Sequence, residues 1–317
     1  MNDFLNKIHS CEKIVLACHQ KPDGDAVGST LATAMSLSLL NKKVSVLIEE
    51  YSERFNIIEG KEFIVPSIDF VPDVFICLDC ADKYRIGADA VKVFEKSLFT
   101  INIDHHISNT NFADMNIVME KSSTSEMVFE LFNEAINIDN KIASAIYAGI
   151  IYDTGGLRFP STTVETMRIA ANLMAAGIDF NNIYTQLMTK HSLSEVMALK
   201  RGIENMIADF DNNIAISTFT LAEYHELSVD MNDLDSIVQF LINIDDIQTA
   251  VFIYEKEPDI FKVSLRSNII DVRKIAVRNN GGGHIRAAGC TIHGSKDLIV
   301  NTIKNQILSA MVNENGR

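Results

Sequence analysis

Carboxylates and imidazoles recur in four separated segments of the chain. His19, Asp23 and Asp25 lie in "CHQKPDGDAVGS", Asp79 in "CLDCADKYRIG", Asp104, His105 and His106 in "FTINIDHHISNTNF", and Asp153 in "IIYDTGG". These are the groups that ligate metals or move protons. If they converge, so many acids cannot stay bare, because like charges repel strongly in a partly dry cleft. Divalent cations are the natural countercharge. A mixed Asp/His donor set is harder than a zinc thiolate site and softer than an all-oxygen calcium cage. It points to Mn²⁺, with Mg²⁺, Co²⁺ or Fe²⁺ as substitutes. Two such ions about 3.5–4 Å apart are a known device for directing water onto a phosphorus ester.

Each residue also has a plainer reading. Asp23 and Asp25 could each cap a helix starting near Ala26, and a lone histidine is more often core or surface than ligand. What argues against this is placement, because the groups fall at strand or helix ends expected on one side.

The elements that must position them follow from the apolar pattern. Strands are expected at Lys13 to Cys18, Val44 to Ile48, Val74 to Leu78 and Leu98 to Ile103. A helix is expected from Ala26 to Leu40, and others at 123–135, 141–151, 163–176 and 183–188. Near-continuous apolar strands separated by helices predict a parallel sheet with helices on both faces. In open sheets of that kind ligands bind outside the carboxyl ends of the strands, where the acids and histidines fall. The pattern changes after a helix expected from Ser192 to Asp209. Alternation at Ile214 to Phe219, a helix from Leu234 to Ile242, a strand pair turned by Glu257-Pro258-Asp259, and a helix from about Lys296 to Met311 suggest a second, smaller α/β domain. The expected division is residues 1–190, a linker helix over 191–209, and residues 210–317.

Composition bounds the function. The chain has 317 residues, 47% apolar and 22% charged, with a net charge of −14. That length suggests two domains. So acidic a surface disfavours long duplex nucleic acid, and the apolar runs are too short for a membrane span. The N-terminus shows no signal pattern, so a cytoplasmic protein is expected. The five cysteines show no framework spacing. Cys77-x-x-Cys80 sits in an apolar run without a second pair, and reads as buried small hydrophobes rather than a redox or zinc site.

Two further segments carry weight. Gly281-Gly282-Gly283 lets backbone N–H groups approach an anion, and His284 with Arg266 supports that reading over a flexible turn. Arg85 could serve the same purpose in the first domain. "SSTSEMV", Ser122 to Val128, reads as a helix start with Glu126 as capping-box partner.

Together these residues resemble the DHH phosphoesterase superfamily. The resemblance rests on His19-x3-Asp23-x-Asp25, on Asp79 followed by Arg85-Ile86-Gly87, on Asp104-His105-His106 and on Asp153-Thr154-Gly155. It is extended by "SLRS" (Ser264 to Ser267) and "GGGHIRAAG" (Gly281 to Gly289), which resemble the DHH-associated domain. The combination is most similar to the subgroup that degrades short oligonucleotides and 3′-phosphoadenosine-5′-phosphate. The resemblance implies an α/β fold and a two-metal phosphoester hydrolase acting on short oligonucleotides or small nucleotides. A homodimer remains open. It implies that His19 and Asp23 hold one metal, that Asp25, His105 and Asp153 hold the other, and that Asp79 bridges both. His106 would face the scissile phosphate, and Asp104 would orient an imidazole. Arg85, Arg266, Ser267, Gly282, Gly283 and His284 would bind substrate. The loop after Asp153 departs from the pattern, and Arg158 there reads as a solvated arginine. A cyclic-dinucleotide phosphodiesterase shares these motifs, and a non-catalytic nucleotide sensor is the alternative from a different class.

Overall fold

A computed structural model describes residues 2–227 and 234–315. It divides into two compact units, Met1–Lys190 and His191–Arg317.

The first unit opens with α1 (Asn2–His9), β1 (Lys13–Ala17), α2 (Gly24–Leu39) and β2 (Lys43–Leu47). It continues with β3 (Val74–Leu78), α3 (Ala88–Phe94), β4 (Thr100–Asp104), β5 (Met115–Val118), α4 (Thr124–Phe132), α5 (Asn140–Asp153), α6 (Val164–Ala175) and α7 (Phe180–Tyr184). The strands form one parallel sheet in the order β2-β1-β3-β4-β5. The chain reverses its winding between β1 and β3, so a crevice opens at the carboxyl ends of those two strands. Alternate residues of each strand face opposite layers, as the period of two requires. Ile14, Leu16 and Ile76 pack with α2, α4 and α5, whereas Val15, Ala17, Phe75 and Cys77 pack against α3. Helices therefore cover both faces.

α2 and α5 cross closely enough that a Cβ at Gly28 would stand 2.6 Å from the carbonyl oxygen of Ala145. In this unit α1, α3 and β5 escaped the sequence pattern. β5 is four residues long and partly buried throughout, too short to show a period. α3 is a seven-residue helix and likewise carries little periodicity.

The second unit holds α8 (Leu193–Glu204), β6 (Ile207–Asp209), β7 (Ile214–Phe219), α9 (Leu221–Leu227), α10 (Asp235–Ile242) and β8 (Thr249–Glu257). β9 (Ile260–Ser267), α11 (Val272–Arg278), β10 (Gly282–Gly283), β11 (Ala287–His293) and α12 (Lys296–Asn315) complete it. Its sheet runs β10-β11-β9-β8-β7-β6, antiparallel except for the β7/β8 pair. Ile214 and Ile216 face one core with Ile275 and Ile303, and Ala215 and Phe219 face the other with Ala198 and Val238.

The expected linker helix over 191–209 is corrected here. The helix ends at Glu204, where Asn205 donates to the Thr218 carbonyl at 2.9 Å, and Ile207–Asp209 pairs antiparallel with Ile214–Ile216. Ala198 is buried in the core that includes Ile237, so α8 is part of the second unit's fold.

Replacing Gly28 with alanine tests the helix crossing. The added methyl must displace backbone rather than a flexible tip, and should cost about 1–3 kcal/mol. A lowered melting temperature of the full chain is the expected result, measured by thermal unfolding.

Candidate metal and phosphate site

β1 delivers Cys18 and His19 immediately beyond its last residue. His19 is buried, and its Nδ1 lies 2.9 Å from the Gln20 carbonyl, which leaves Nε2 aimed inward, 3.6 Å from Asp79 Oδ2. The chain then turns into α2, and Asp23 caps that helix by accepting from the amides of Asp25 and Ala26 at 3.0 Å each. Asp23 is therefore a cap as well as a candidate ligand, because only one of its oxygens is used by the helix.

Asp25, one residue inside α2, is fully buried. Its two oxygens accept from the backbone amides of Thr124 (2.7 Å) and Ser125 (2.9 Å) at the start of α4. The positive end of that helix thus lies on a carboxylate. α5 must come close for this to happen: a Cβ at Gly149 would stand 2.7 Å from Asp25 Oδ1 and collide with Ser125 Oγ.

Asp79 follows directly on β3 and adopts φ +53, a left-handed conformation that non-glycine residues rarely occupy. The turn carries its carboxylate into the centre of the group. Oδ1 accepts from Thr124 Oγ1 at 3.0 Å and lies 3.5 Å from His105 Nε2, while Oδ2 faces His19. Asp104 is the last residue of β4, fully buried, and sits 2.7 Å from His106 Nδ1. His105 places Nδ1 3.2 Å from the Lys121 carbonyl and Nε2 3.4 Å from Asp153 Oδ2, the last residue of α5.

These side chains form three groups whose ligand atoms lie within 4.8 Å of one another: His19–Asp23–Asp79, Asp25–His105–Asp153 and Asp79–His105–His106. The first two match the two sets expected from the resemblance, with Asp79 beside both. The third includes His106, whose Nδ1 lies 3.6 Å from Asp79 Oδ1 but already faces Asp104 at 2.7 Å. We therefore leave His106 out of the ligand sets. The donor chemistry fits divalent cations well. Each candidate histidine ligand has one nitrogen pinned by a backbone carbonyl and the other pointed at carboxylates, the usual arrangement behind a ligating imidazole.

The electrostatics show the strain of the arrangement without countercharge. Burial and the nearby Asp79 push the carboxyls of Asp23 and Asp25 up, and burial pushes Asp153 up to about 7. Asp79 goes the other way: burial opposes its charge, but the hydrogen bond to His19 and the imidazoles beside it hold it below the usual range. For His105, burial opposes the charged form, yet Asp25, Asp153 and Asp79 raise it to about 9. His106 is raised chiefly by its hydrogen bond to Asp104.

Sequence reasoning missed the supports. Thr124 ties two candidate ligands together, its amide to Asp25 and its hydroxyl to Asp79. Glu126 is buried and is not a capping-box partner. Its carboxylate accepts from Ser122 Oγ and from Thr166 Oγ1 on α6 and sits 3.6 Å from Lys121 Nζ, so it holds the loop whose carbonyl orients His105. Arg158 is exposed and donates from Nε to the Gly155 carbonyl at 3.0 Å, bracing the turn after Asp153. Cys77 and Cys80 are buried, and burial pushes both thiols up, to about 12 for Cys80, as inert small hydrophobes should be.

Arg85 lies in the turn after β3 with its side chain exposed, and its carbonyl accepts from the Gln20 amide at 2.6 Å. In the second unit the anion expectation needs correction in its details. The glycines do not form a converging nest. Gly281 donates to the Ala276 carbonyl at 2.8 Å, and Gly282–Gly283 pair with Gly289 and Ala288 as an edge strand. A Cβ at Gly281 would stand 2.2 Å from the Gly289 carbonyl oxygen and one at Gly283 2.6 Å from that of Ala287, so close strand approach explains those two glycines. Ser267 is buried, and its hydroxyl engages Thr249, the Gln248 carbonyl and the amides of Ile269 and Ile270, so it holds the turn after β9 rather than facing solvent. Arg266, half-buried on β9, pairs in register with Ala287, and the exposed His284 closes the β10–β11 turn.

Residues 13–150 match the DHH family N-terminal domain and residues 211–309 match the DHHA1 domain. A protein of Thermus thermophilus named bifunctional oligoribonuclease and PAP phosphatase NrnA is 28% identical, over 89% of this chain and 84% of its own. The Bacillus subtilis protein of the same name is 28% identical over 92% of this chain and 93% of its own. Among solved structures, an exopolyphosphatase-related protein from Bacteroides fragilis superposes with a TM-score of 0.88 at 28% identity, covering 97% of this chain and 95% of that one.

The raised groups set a pH test. Asp153 loses its proton in the unfolded chain near 3.8 but in the folded one only near about 7, and His105 does so near 6.5 and about 9. Both make the metal-free fold bind more protons than the unfolded chain, so its stability should fall as pH rises through each window. Asp79 acts oppositely, but only at pH below its ordinary value. Metal-free protein should melt at lower temperature at pH 8 than at pH 5, and a saturating divalent ion should raise the melting temperature more at pH 8. A flat or rising profile without metal would contradict the assigned electrostatics.

Proposed function

Because the chain belongs to the DHH family, joining that family's N-terminal domain to a DHHA1 domain, we propose that it is a phosphoester hydrolase of short oligoribonucleotides and of 3′-phosphoadenosine-5′-phosphate. The observation that carries the reading is the pair of Asp/His groups sharing the neighbourhood of Asp79 at the switch point of a parallel sheet. Both activities belong to the names of the two relatives aligned over most of the chain.

His19 and Asp23 would hold one divalent ion, Asp25, His105 and Asp153 the other, and Asp79 both, with Mn²⁺ the best match and Mg²⁺ or Co²⁺ as substitutes. When bound, such a pair supplies an activated water and neutralises charge on the phosphate oxygens. The chain's own residues supply orientation and the proton. Asp104 fixes the His106 tautomer through Nδ1 and favours its charged form, which leaves Nε2 to donate a hydrogen bond or proton at the phosphate or the departing oxygen. The Glu126 and Thr124 contacts keep His105 and Asp79 in place. In the second unit Arg266 and His284 would contribute anion binding, and Arg85 would do so in the first. The net charge of −14 offers no electrostatic track for a long backbone, which favours short substrates. We place the protein in the cytoplasm, where its five free thiols would persist. Among the described residues no helix is long and apolar enough to cross a membrane.

The test is to incubate metal-loaded protein with a ribodinucleotide, 3′-phosphoadenosine-5′-phosphate, a cyclic dinucleotide and a long single strand, and to identify products. The first two should be consumed fastest; preference for the long strand would sink the short-substrate reading. Two variants separate the roles. Asp79→Ala should abolish turnover and reduce bound metal. Asp104→Asn should keep its metal and lose roughly 10²–10⁴-fold in kcat, the usual worth of a positioned proton donor.

A further inference from the structure

The segments after β1 and β2 enclose a cavity of about 300 Å³ in the first unit. Its walls include Cys18 and His19 beyond β1, Ile48 and Glu49 beyond β2, and Ile86 from the turn after β3. It therefore shares His19 with the carboxylate–imidazole group. The volume is at the small end of ligand pockets, and polar and apolar residues share the lining about equally.

The polar groups are arranged. Gln20 donates from Nε2 to Glu49 Oε2 at 3.3 Å, and the Gln20 backbone is itself locked to the Arg85 carbonyl at 2.6 Å. Gly87 lies against this pair at φ +92, and a Cβ there would stand 2.9 Å from Glu49 Oε1 and 3.2 Å from Gln20 Nε2. The bare glycine makes room for the carboxylate. Glu49 and Glu50 outnumber Lys21 in the lining and disfavour a phosphate there, so the cavity suits the uncharged part of a nucleotide. A carboxylate accepts readily from hydroxyls, and in dinucleotide-binding α/β folds an acidic side chain beyond the second strand takes the ribose 2′-hydroxyl. Glu49 occupies the equivalent place in a β2-β1-β3 order. A nucleoside here could lay its apolar faces on Ile48 and Ile86 and leave its phosphate beside His19.

We propose that Glu49, held by Gln20, binds the ribose 2′-hydroxyl of the nucleotide whose phosphate lies at the carboxylate–imidazole group, and so selects ribonucleotides over deoxyribonucleotides. This rests on the nucleotide reading above. Glu49 is exposed, so its replacement should leave the fold intact, which a melting curve checks. The experiment titrates the metal-loaded protein calorimetrically with adenosine 5′-monophosphate and its 2′-deoxy form. Parent protein should prefer the ribose form by roughly tenfold or more, as a hydrogen bond to a charged group allows. Glu49→Ala should bind the two alike, and Glu49→Gln, which keeps an acceptor oxygen, should fall between. Relative kcat/KM for ribo- and deoxyribodinucleotides should follow the same order. Equal affinity of the parent protein for both forms, or a preference that survives in Glu49→Ala, overturns the proposal. Dinucleotide hydrolysis with its sugar preference untouched in Glu49→Ala would leave the hydrolase reading standing. Ribose-selective binding lost in Glu49→Ala, without hydrolysis by any form, would uphold Glu49 and remove the hydrolase.

Discussion

The carboxylate of Asp25 rests on the first amides of α4, at 2.7 Å and 2.9 Å, and the rest of the site depends on that contact. It joins segments 99 and 100 residues apart and fixes α2 against α4. It requires α5 to pass with no side chain at Gly149. It also brings Thr124 within reach of Asp79. A buried carboxylate costs several kcal/mol unless hydrogen-bonded, so these amides are what let an acid sit there at all. Once Asp25 is placed, Asp153 at the end of α5 and His105 beyond β4 fall into the same space.

The crowding of acids is itself informative. A fold could have avoided it by placing asparagine or alanine at strand ends. Instead Asp79 accepts an unfavourable backbone conformation to push its carboxylate among others, and His105 is held strongly basic by the acids around it. Strain and perturbed titration concentrated in one crevice support the proposed hydrolase site over a set of helix caps. The plainer reading, in which the aspartates merely cap helices, holds for part of Asp23 and for none of Asp25, Asp79 or Asp153. Asp25 sits inside its helix, and the other two end a strand turn and a helix.

The second unit answers a different demand. Its glycine run is shaped by backbone packing, because Gly281 and Gly283 lie against carbonyl oxygens of β11 where no Cβ fits. Gly282 is the open position on an edge strand. Ser267 spends its hydroxyl on the turn after β9 and thereby sets the end of the strand that carries Arg266. A sequence pattern that suggests anion binding can thus be met partly by residues that only shape the scaffold around an arginine and a histidine.

The sequence by itself determined strands β1 to β4 and β7 to β9, most helices, the parallel character of the first sheet and the residue types gathered at its carboxyl edge, because apolar periodicity and strand ends are local properties. The family resemblance implied the grouping of His19 with Asp23, but the choice of His106 as the imidazole beside Asp104 came only from the folded structure. The sequence could not show that Glu126 braces the loop behind His105, that α8 packs within the second unit, or that Glu49 stands beside Gln20 and Gly87. Those depend on contacts between segments far apart in the chain, and on volumes that exist only after the helices have packed. Tertiary structure alone decided which acids face one another and which nitrogen of each histidine is free, because side-chain direction follows from neighbours rather than from order along the chain.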